Sequence, residues 1–344
     1  MATFLKLALA ISVLAVFVAV SAPTLINGLF ELLGGAMDTT VGAIQPVGQD
    51  VLTTRFRGKS ALVVGATRGI GRGIAIQLAK AGADVQVVGR SDKGGAAVVE
   101  LMTKLALSTN QVFRAHSHDL STVKGCQGLT LELSKQGARF DFLIFTVGVW
   151  PDIRNPNTVD GVNKVFAVDV LGRFAVFDGV QPLLSKGARV LNVLASTTQM
   201  PGLPTFEAIK SIISGDSPPG LGGFGMLAVA SVSADAFLQQ AGIRYSGFRF
   251  VGTQPGIVAT DVIRTSFPGW LADILQVVMG PFAQSEEQSG NVHLNILSSP
   301  NLERSPTSYV DHLYNARMTN KLAYDREFGA WLWSFLETVV EKHR

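Results

Sequence analysis

Between Ala61 and Ser91 the chain reads ALVVGATRGIGRGIAIQLAKAGADVQVVGRS, and that order of residue types narrows its fold more than any other stretch. An apolar strand over Ala61–Val64 runs into a turn carrying Gly65, Gly69 and Gly71. A helix follows to Lys80, then Gly82, then a second strand over Asp84–Val88 that ends at Arg90. Glycine lets a backbone turn sharply and come close to a pyrophosphate, and free N–H groups at a helix start favour its negative charge. A G-x-x-x-G-x-G alone also arises in turns that are glycine-rich for steric reasons. Here it follows a strand, opens a helix and leads to a second strand, which implies a dinucleotide site. A decorative loop on a Rossmann-like scaffold is the alternative.

The alternation continues along the chain. Helices are expected over Ala96–Leu107, Ser121–Gln136, Val159–Leu184 and Gly225–Gln240, with strands over Val112–Ala115, Phe142–Thr146, Arg189–Leu194 and Ser246–Gly252. Strand and helix in turn imply a parallel sheet with helices on both faces. The expected fold is therefore α/β, a Rossmann-like doubly wound parallel sheet in a single domain over 59–344.

Ahead of that domain the composition changes. The 344-residue chain is 47% hydrophobic, with a mean hydropathy of +0.31. No charged residue occurs from Leu7 to Phe30. Such a stretch is long enough to cross a bilayer as a helix, so residues 1–33 read as a transmembrane or signal-anchor helix and 34–58, rich in Gly, Thr, Gln and Pro, as a linker. A cleaved signal peptide is the rival, with Lys6 as its charged region and Val20-Ser21-Ala22 as the cut, although Pro23 follows directly. The single cysteine, Cys126, allows no internal disulfide framework, and no Asn-x-Ser/Thr acceptor is present. The expected location is a membrane, by a single N-terminal pass, with the folded domain in the cytosol or an organelle matrix. A net charge of +3 without a basic cluster argues against nucleic acid as a partner. No metal-ligand set is read.

Four further motifs make the reading specific. The turn is Gly65-Ala66-Thr67-Arg68-Gly69-Ile70-Gly71, Asp119-Leu120 follows the third strand, Pro255-Gly256 is followed by Thr260-Asp261, and the tail runs Ala323-Tyr324-Asp325 to Trp331-Leu332-Trp333-Ser334. From Lys59 to the C-terminus the chain resembles the short-chain dehydrogenase/reductase family, with a tail like that of its retinol-dehydrogenase-like branch. The resemblance implies cofactor contacts from Gly65, Thr67, Arg68, Gly69, Ile70 and Gly71 in the turn. It implies adenine contacts from Asp119 and Leu120, a contact from Gly148 at the end of the fourth strand, and nicotinamide contacts from Pro255, Gly256 and Thr260. The second strand ends Gly89-Arg90-Ser91. An acid there would accept from a ribose 2′-OH, whereas a base suits a 2′-phosphate. With Arg68 beside Arg90 and no acid between them, NADP(H) is expected over NAD(H). A solvated strand end is the alternative for Arg90.

Catalysis in this family uses a Ser, a Tyr and a Lys: tyrosine moves the proton, lysine lowers the tyrosine pKa and serine places the substrate oxygen. This chain departs at each position. The Tyr-x-x-x-Lys register falls on Phe224-Gly225-Met226-Leu227-Ala228, so Phe224 and Ala228 stand where Tyr and Lys are expected. Ala195 takes the serine position with Ser196 one residue late, Asp169 replaces the supporting Asn, and the family's Asn-Asn-Ala-Gly reads Phe145-Thr146-Val147-Gly148. Ser196 and Asp169 are the remaining candidate catalytic groups. Asp169 reads either as a substitute base or as a hydrogen-bonded helix residue. Glu207, Lys210, Tyr245, His116 and His118 read as structural.

Two functional expectations follow. One is a membrane-anchored, cofactor-binding member of low or no activity that serves as a structural or regulatory subunit. Its partners are membrane lipid through the N-terminal helix and proteins of a membrane assembly or a homo-oligomer. The other is an active NADP-dependent oxidoreductase on a lipophilic alcohol or carbonyl, with Asp169, Ser196 or water as an unorthodox proton donor. A lipid or small-ligand binder, using the apolar stretches Met200–Phe224 and Phe267–Phe282, is a third class.

Overall fold

A computed structural model of the chain describes residues 35–149, 157–194, 205–213, 223–259 and 283–343. The expected anchor over 1–33 lies outside them. Seven parallel strands form one sheet in the order β3-β2-β1-β4-β5-β6-β7: β1 Ser60–Val64, β2 Asp84–Gly89, β3 Phe113–Ser117, β4 Phe140–Phe145, β5 Leu184–Val193, β6 Arg249–Gln254 and β7 Thr307–Asp311. The chain starts in the middle, winds outward through β2 and β3, then returns to β4 and winds the other way. The central strands are short apolar runs because helices cover both faces: every residue of Ala61–Val64 is buried, as is Phe142–Phe145.

The crossovers are α2 Gly69–Lys80, α3 Asp92–Leu105, α4 Val123–Lys135, the pair α5 Lys164–Phe166 and α6 Gly172–Val180, and α8 Gly223–Arg244, with α7 Phe206–Ile213 ahead of α8. After β6 come α9 Glu286–Ser298 and, following β7, α10 Arg326–Lys342. One core packs Phe174, Phe177 and Phe237 against Trp333 of α10. The other packs Ile74 and Leu78 of α2 with Leu294 and Leu297 of α9. Helix α8 contains the one described stretch, Gly225–Arg244, apolar and long enough to cross a membrane, but 67% of it is buried inside the domain. It is a core helix.

The structure corrects three expectations about elements. Residues 35–58 are not a loose linker. Gln49–Phe56 form α1, which buries Leu52 and Phe56, and the Phe56 ring lies 5.1 Å from that of Phe142. Val41 and Ile44 are buried as well, and the Ile44 N–H donates to the Tyr314 carbonyl at 2.8 Å. Irregularly spaced apolar residues held by loop hydrogen bonds carry no period to read.

The helix expected from Val159 starts instead at Lys164, where the Asn163 side chain accepts the Val165 N–H. One turn of π-helix, Ala167–Leu171, then interrupts it. Strand β5 starts at Leu184 rather than Arg189. Its register against β4 steps between Leu184 and Arg189, and Gly187 has φ +76° in that step, so Lys186-Gly187 looks like a turn in the sequence.

Candidate functional site

The C-terminal ends of the strands open into a crevice where the winding reverses, between β1 and β4, the position at which doubly wound sheets hold ligands. Its walls are the Gly65–Gly71 loop, the end of β2 at Val88–Arg90, the β3–α4 turn from His118 to Ser121, and Thr146–Val149 after β4, with Val168 behind. Of the residues expected to contact a cofactor, Gly65, Thr67, Arg68, Gly69, Ile70, Gly71, Arg90, Asp119, Leu120 and Gly148 all line this one cavity. Pro255 and Gly256 do not line it. They sit beyond the end of β6, where the Gln284 amide donates to the Pro255 carbonyl at 3.4 Å. Thr260, Ala195 and Ser196 lie outside the described residues.

The loop is built for close approach. Gly65 has φ +94°, and a Cβ there would stand 2.4 Å from the Val147 nitrogen. A Cβ on Gly71 would meet Thr146 Oγ1 at 2.3 Å. That hydroxyl lies 3.0 Å from the Val64 carbonyl and 3.1 Å from that of Gly65, tying the loop to β4. Thr146 thus supports the turn although it departs from the family's asparagine.

Two guanidiniums, Arg68 and Arg90, flank the end of β2. Both are exposed, and among the described residues no carboxylate pairs with either. Farther along the same rim, His118 and the buried His116 each place a ring nitrogen 2.8 Å from Glu132. The bond from His118, helped by His116, holds the Glu132 carboxyl below its ordinary range. These contacts join β3 and the turn after it to α4.

The opposite wall is apolar. Val147, Gly148, Val149 and Val168 line it, and Asp169 lies behind them, 1% exposed. Its carboxylate accepts the Val149 N–H at 3.2 Å, so Asp169 is a hydrogen-bonded helix residue rather than a group on the cavity surface. Burial pushes its pKa up to about 7, against the pull of the neighbouring Arg173 and the Val149 N–H. Arg173, wholly buried, was not read from the sequence as a site residue. Its signal is a lone cation inside the apolar run Val165–Phe177. Phe224 and Ala228 lie one turn apart on α8. Tyr245 packs between Phe177 and Phe248, and Glu207 and Lys210 are exposed on α7. Among the described residues the cavity offers cations at one end and no free proton donor at the other.

A family model described as short chain dehydrogenase matches residues 59–211. Over those residues the chain is similar to the short-chain dehydrogenase/reductase family. The WW domain-containing oxidoreductase of Drosophila melanogaster is 23% identical over 290 residues, spanning 83% of this chain and 69% of that protein. Dehydrogenase/reductase SDR family member 4 of Caenorhabditis elegans is 27% identical over 249 residues, spanning 69% of this chain and 88% of that protein. Among solved structures, a short chain dehydrogenase from Burkholderia cenocepacia in complex with NADP superposes with a TM-score of 0.57 at 19% identity, covering 75% of this chain and 97% of that one. At that identity the likeness shows the family fold, with the seven-stranded parallel sheet described above.

Proposed function

We propose that this chain binds NADP(H) in the cavity at the β1/β4 switch point, is held at a membrane by residues 1–33, and has little or no turnover of its own, serving as a structural or regulatory subunit. The observation that carries the cofactor reading is the pair Arg68 and Arg90, two exposed guanidiniums at the end of β2 that no carboxylate pairs with among the described residues, where a 2′-phosphate would sit. NADP in solved neighbours is a property of those proteins and agrees with it. The low-turnover reading rests on Phe224 and Ala228 at the family's Tyr and Lys positions. Without the general acid alone a rate falls by about two to four orders of magnitude. On this reading the partners are lipid around 1–33 and protein subunits of a membrane assembly or a second copy.

The test is titration of the full chain in detergent with NADPH and NADH, followed by nicotinamide fluorescence, alongside Arg90→Glu. NADPH is expected to bind more tightly than NADH. Arg90→Glu should weaken NADPH about tenfold or more, the worth of one charge-assisted phosphate contact, and leave NADH nearly unchanged. Binding of neither would make the glycine loop inherited scaffolding. NADPH-dependent turnover of lipophilic carbonyls at ordinary enzyme rates would overturn the subunit role in favour of an active reductase.

A further inference from the structure

Arg173 is buried, and its guanidinium is spread across three carbonyl-type acceptors at the ends of two strands. Nη1 donates to Asn192 Oδ1 and, at 3.3 Å, to the Val193 carbonyl. Nη2 donates to the Val147 carbonyl and, at 3.4 Å, to that of Val193. Asp169, one turn earlier, is at the centre of the π-helical turn, an irregularity frequent at functional positions. Gly148 stands between these groups and the cavity: a Cβ on it would lie 3.3 Å from Asp169 Oδ1 and 3.8 Å from Arg173 Nη2. Gly148 itself lines the cavity.

The site's own topology says which part of a dinucleotide meets that wall. On the NADP(H) reading the diphosphate would lie at the start of α2, with Arg68, Arg90 and Asp119 toward the nucleoside on the β2–β3 side. The second nucleoside must cross toward β4 and β5. On the NADP(H) reading of the cavity, the nicotinamide half therefore faces Val147, Gly148 and Val149.

We propose that Asp169 and Arg173, two buried ionisable groups behind Gly148, set which redox state of the nicotinamide this chain holds. Ionised, Asp169 offsets the charge of Arg173. Protonating Asp169 makes the wall one unit more positive. That charge repels the cationic oxidised ring and leaves the neutral reduced ring untouched. Burial, which places the Asp169 carboxyl near neutrality, puts the change in the accessible pH range. The strand ends packed against the pair bring Val147, Val149, Asn192 and Val193, none of them titratable. From α8, Asp235 acts on Arg173 and helps keep it charged.

The experiment measures NADPH and NADP+ affinities of the full chain from pH 6 to pH 8 and follows their ratio. Ionisation of the 2′-phosphate is common to both forms and cancels. The preference for NADPH over NADP+ is expected to grow about tenfold from pH 8 to pH 6, one pKa unit of differential interaction. Asp169→Asn preserves an acceptor for the Val149 N–H and should give the acid-side preference at every pH. Arg173→Met should abolish the preference, and Asp169→Asn keeps the test sharp if the methionine variant does not fold. A ratio flat with pH in the unmodified chain, or a pH dependence surviving in Asp169→Asn, overturns the proposal. Binding of neither form overturns the cofactor reading of the cavity itself.

Discussion

The backbone N–H of Gly69 donates to Glu286 Oε1 at 2.7 Å. A glycine of the cofactor loop is thereby joined to the first residue of α9, and Arg72 closes on the other oxygen of the same carboxylate at 2.6 Å. One of the four orphan N–H groups at the start of α2 is satisfied by an acid from a remote helix, in the place where helix N-termini favour negative charge.

Glu286→Ala should therefore destabilise the domain by about 1–2 kcal/mol, the cost of losing a cap-like acceptor. Glu286→Gln keeps an acceptor for Gly69 and loses only the half-exposed pair with Arg72, which is worth about 1 kcal/mol or less. Urea unfolding of the two variants checks the order. Equal losses would mean that the ion pair, not the Gly69 bond, does the holding.

The same helix pair allows no side chain at its crossing. A Cβ on Gly73 would come within 2.0 Å of the Glu286 carbonyl oxygen, and one on Gly290 within 2.5 Å of that of Gly73. Both obstacles are backbone, so α2 and α9 would have to separate. Gly73→Ala should cost about 2–3 kcal/mol, the upper part of the overpacking range. Adding Gly290→Ala should cost less than the sum, because one separation relieves both clashes. Thermal unfolding of the two single variants and the double variant measures this, and strict additivity would refute a shared cause.

The glycine loop and the central strands were legible because strands buried on both faces are continuous apolar runs and because the turn demands glycine. The contacts that complete the site were not. Gly69 and Glu286 are 217 residues apart, and nothing local to either marks the other. Thr146 looked like a lost asparagine, yet its hydroxyl bonds the loop backbone that only the fold brings near. The segment 35–58 buries Val41, Ile44, Leu52 and Phe56 at spacings that match neither helix nor strand over its length. Asp169 and Arg173 were visible as charges in an apolar helix, but their shared position behind Gly148 depends on the π-helical turn, which has no composition signal.

Cys126 offers a probe of this packing. Its thiol is 1% exposed and donates weakly to the Leu120 and Gly172 carbonyls at 3.7 and 3.8 Å. Burial, with Asp119 and Asp160 adding to it, pushes the thiol up to about 12. Since the thiolate is the reactive form, Ellman's reagent should leave Cys126 untouched in native buffer and consume it on unfolding in urea. Leu120 also lines the cavity, so a bound dinucleotide should raise the urea concentration at which labelling begins. Rapid labelling of the folded chain would contradict this burial.

Two buried groups should pull stability in opposite directions as pH falls. His293 is 1% exposed; its Nδ1 bonds the Ser289 carbonyl at 2.7 Å, and its other ring nitrogen has no described partner. Burial pulls its pKa down to about 4. Between about 4 and its ordinary value near 6.5, the unfolded chain takes up a proton that the folded chain refuses. Stability present above that window is lost as pH falls through it. Asp169, raised by burial to about 7, does the reverse: from about 7 down to its ordinary value near 4, the folded chain holds a proton that the unfolded chain has released, and stability is gained. Each slope approaches about 1.4 kcal/mol per pH unit, so the two largely cancel in the unmodified chain. His293→Gln should leave the Asp169 effect exposed, making the variant more stable toward pH 4.5. Asp169→Asn should leave the His293 effect, making that variant less stable over the same range. Urea unfolding free energies between pH 4.5 and 7.5 give both slopes, and slopes of the same sign in the two variants would refute the opposition.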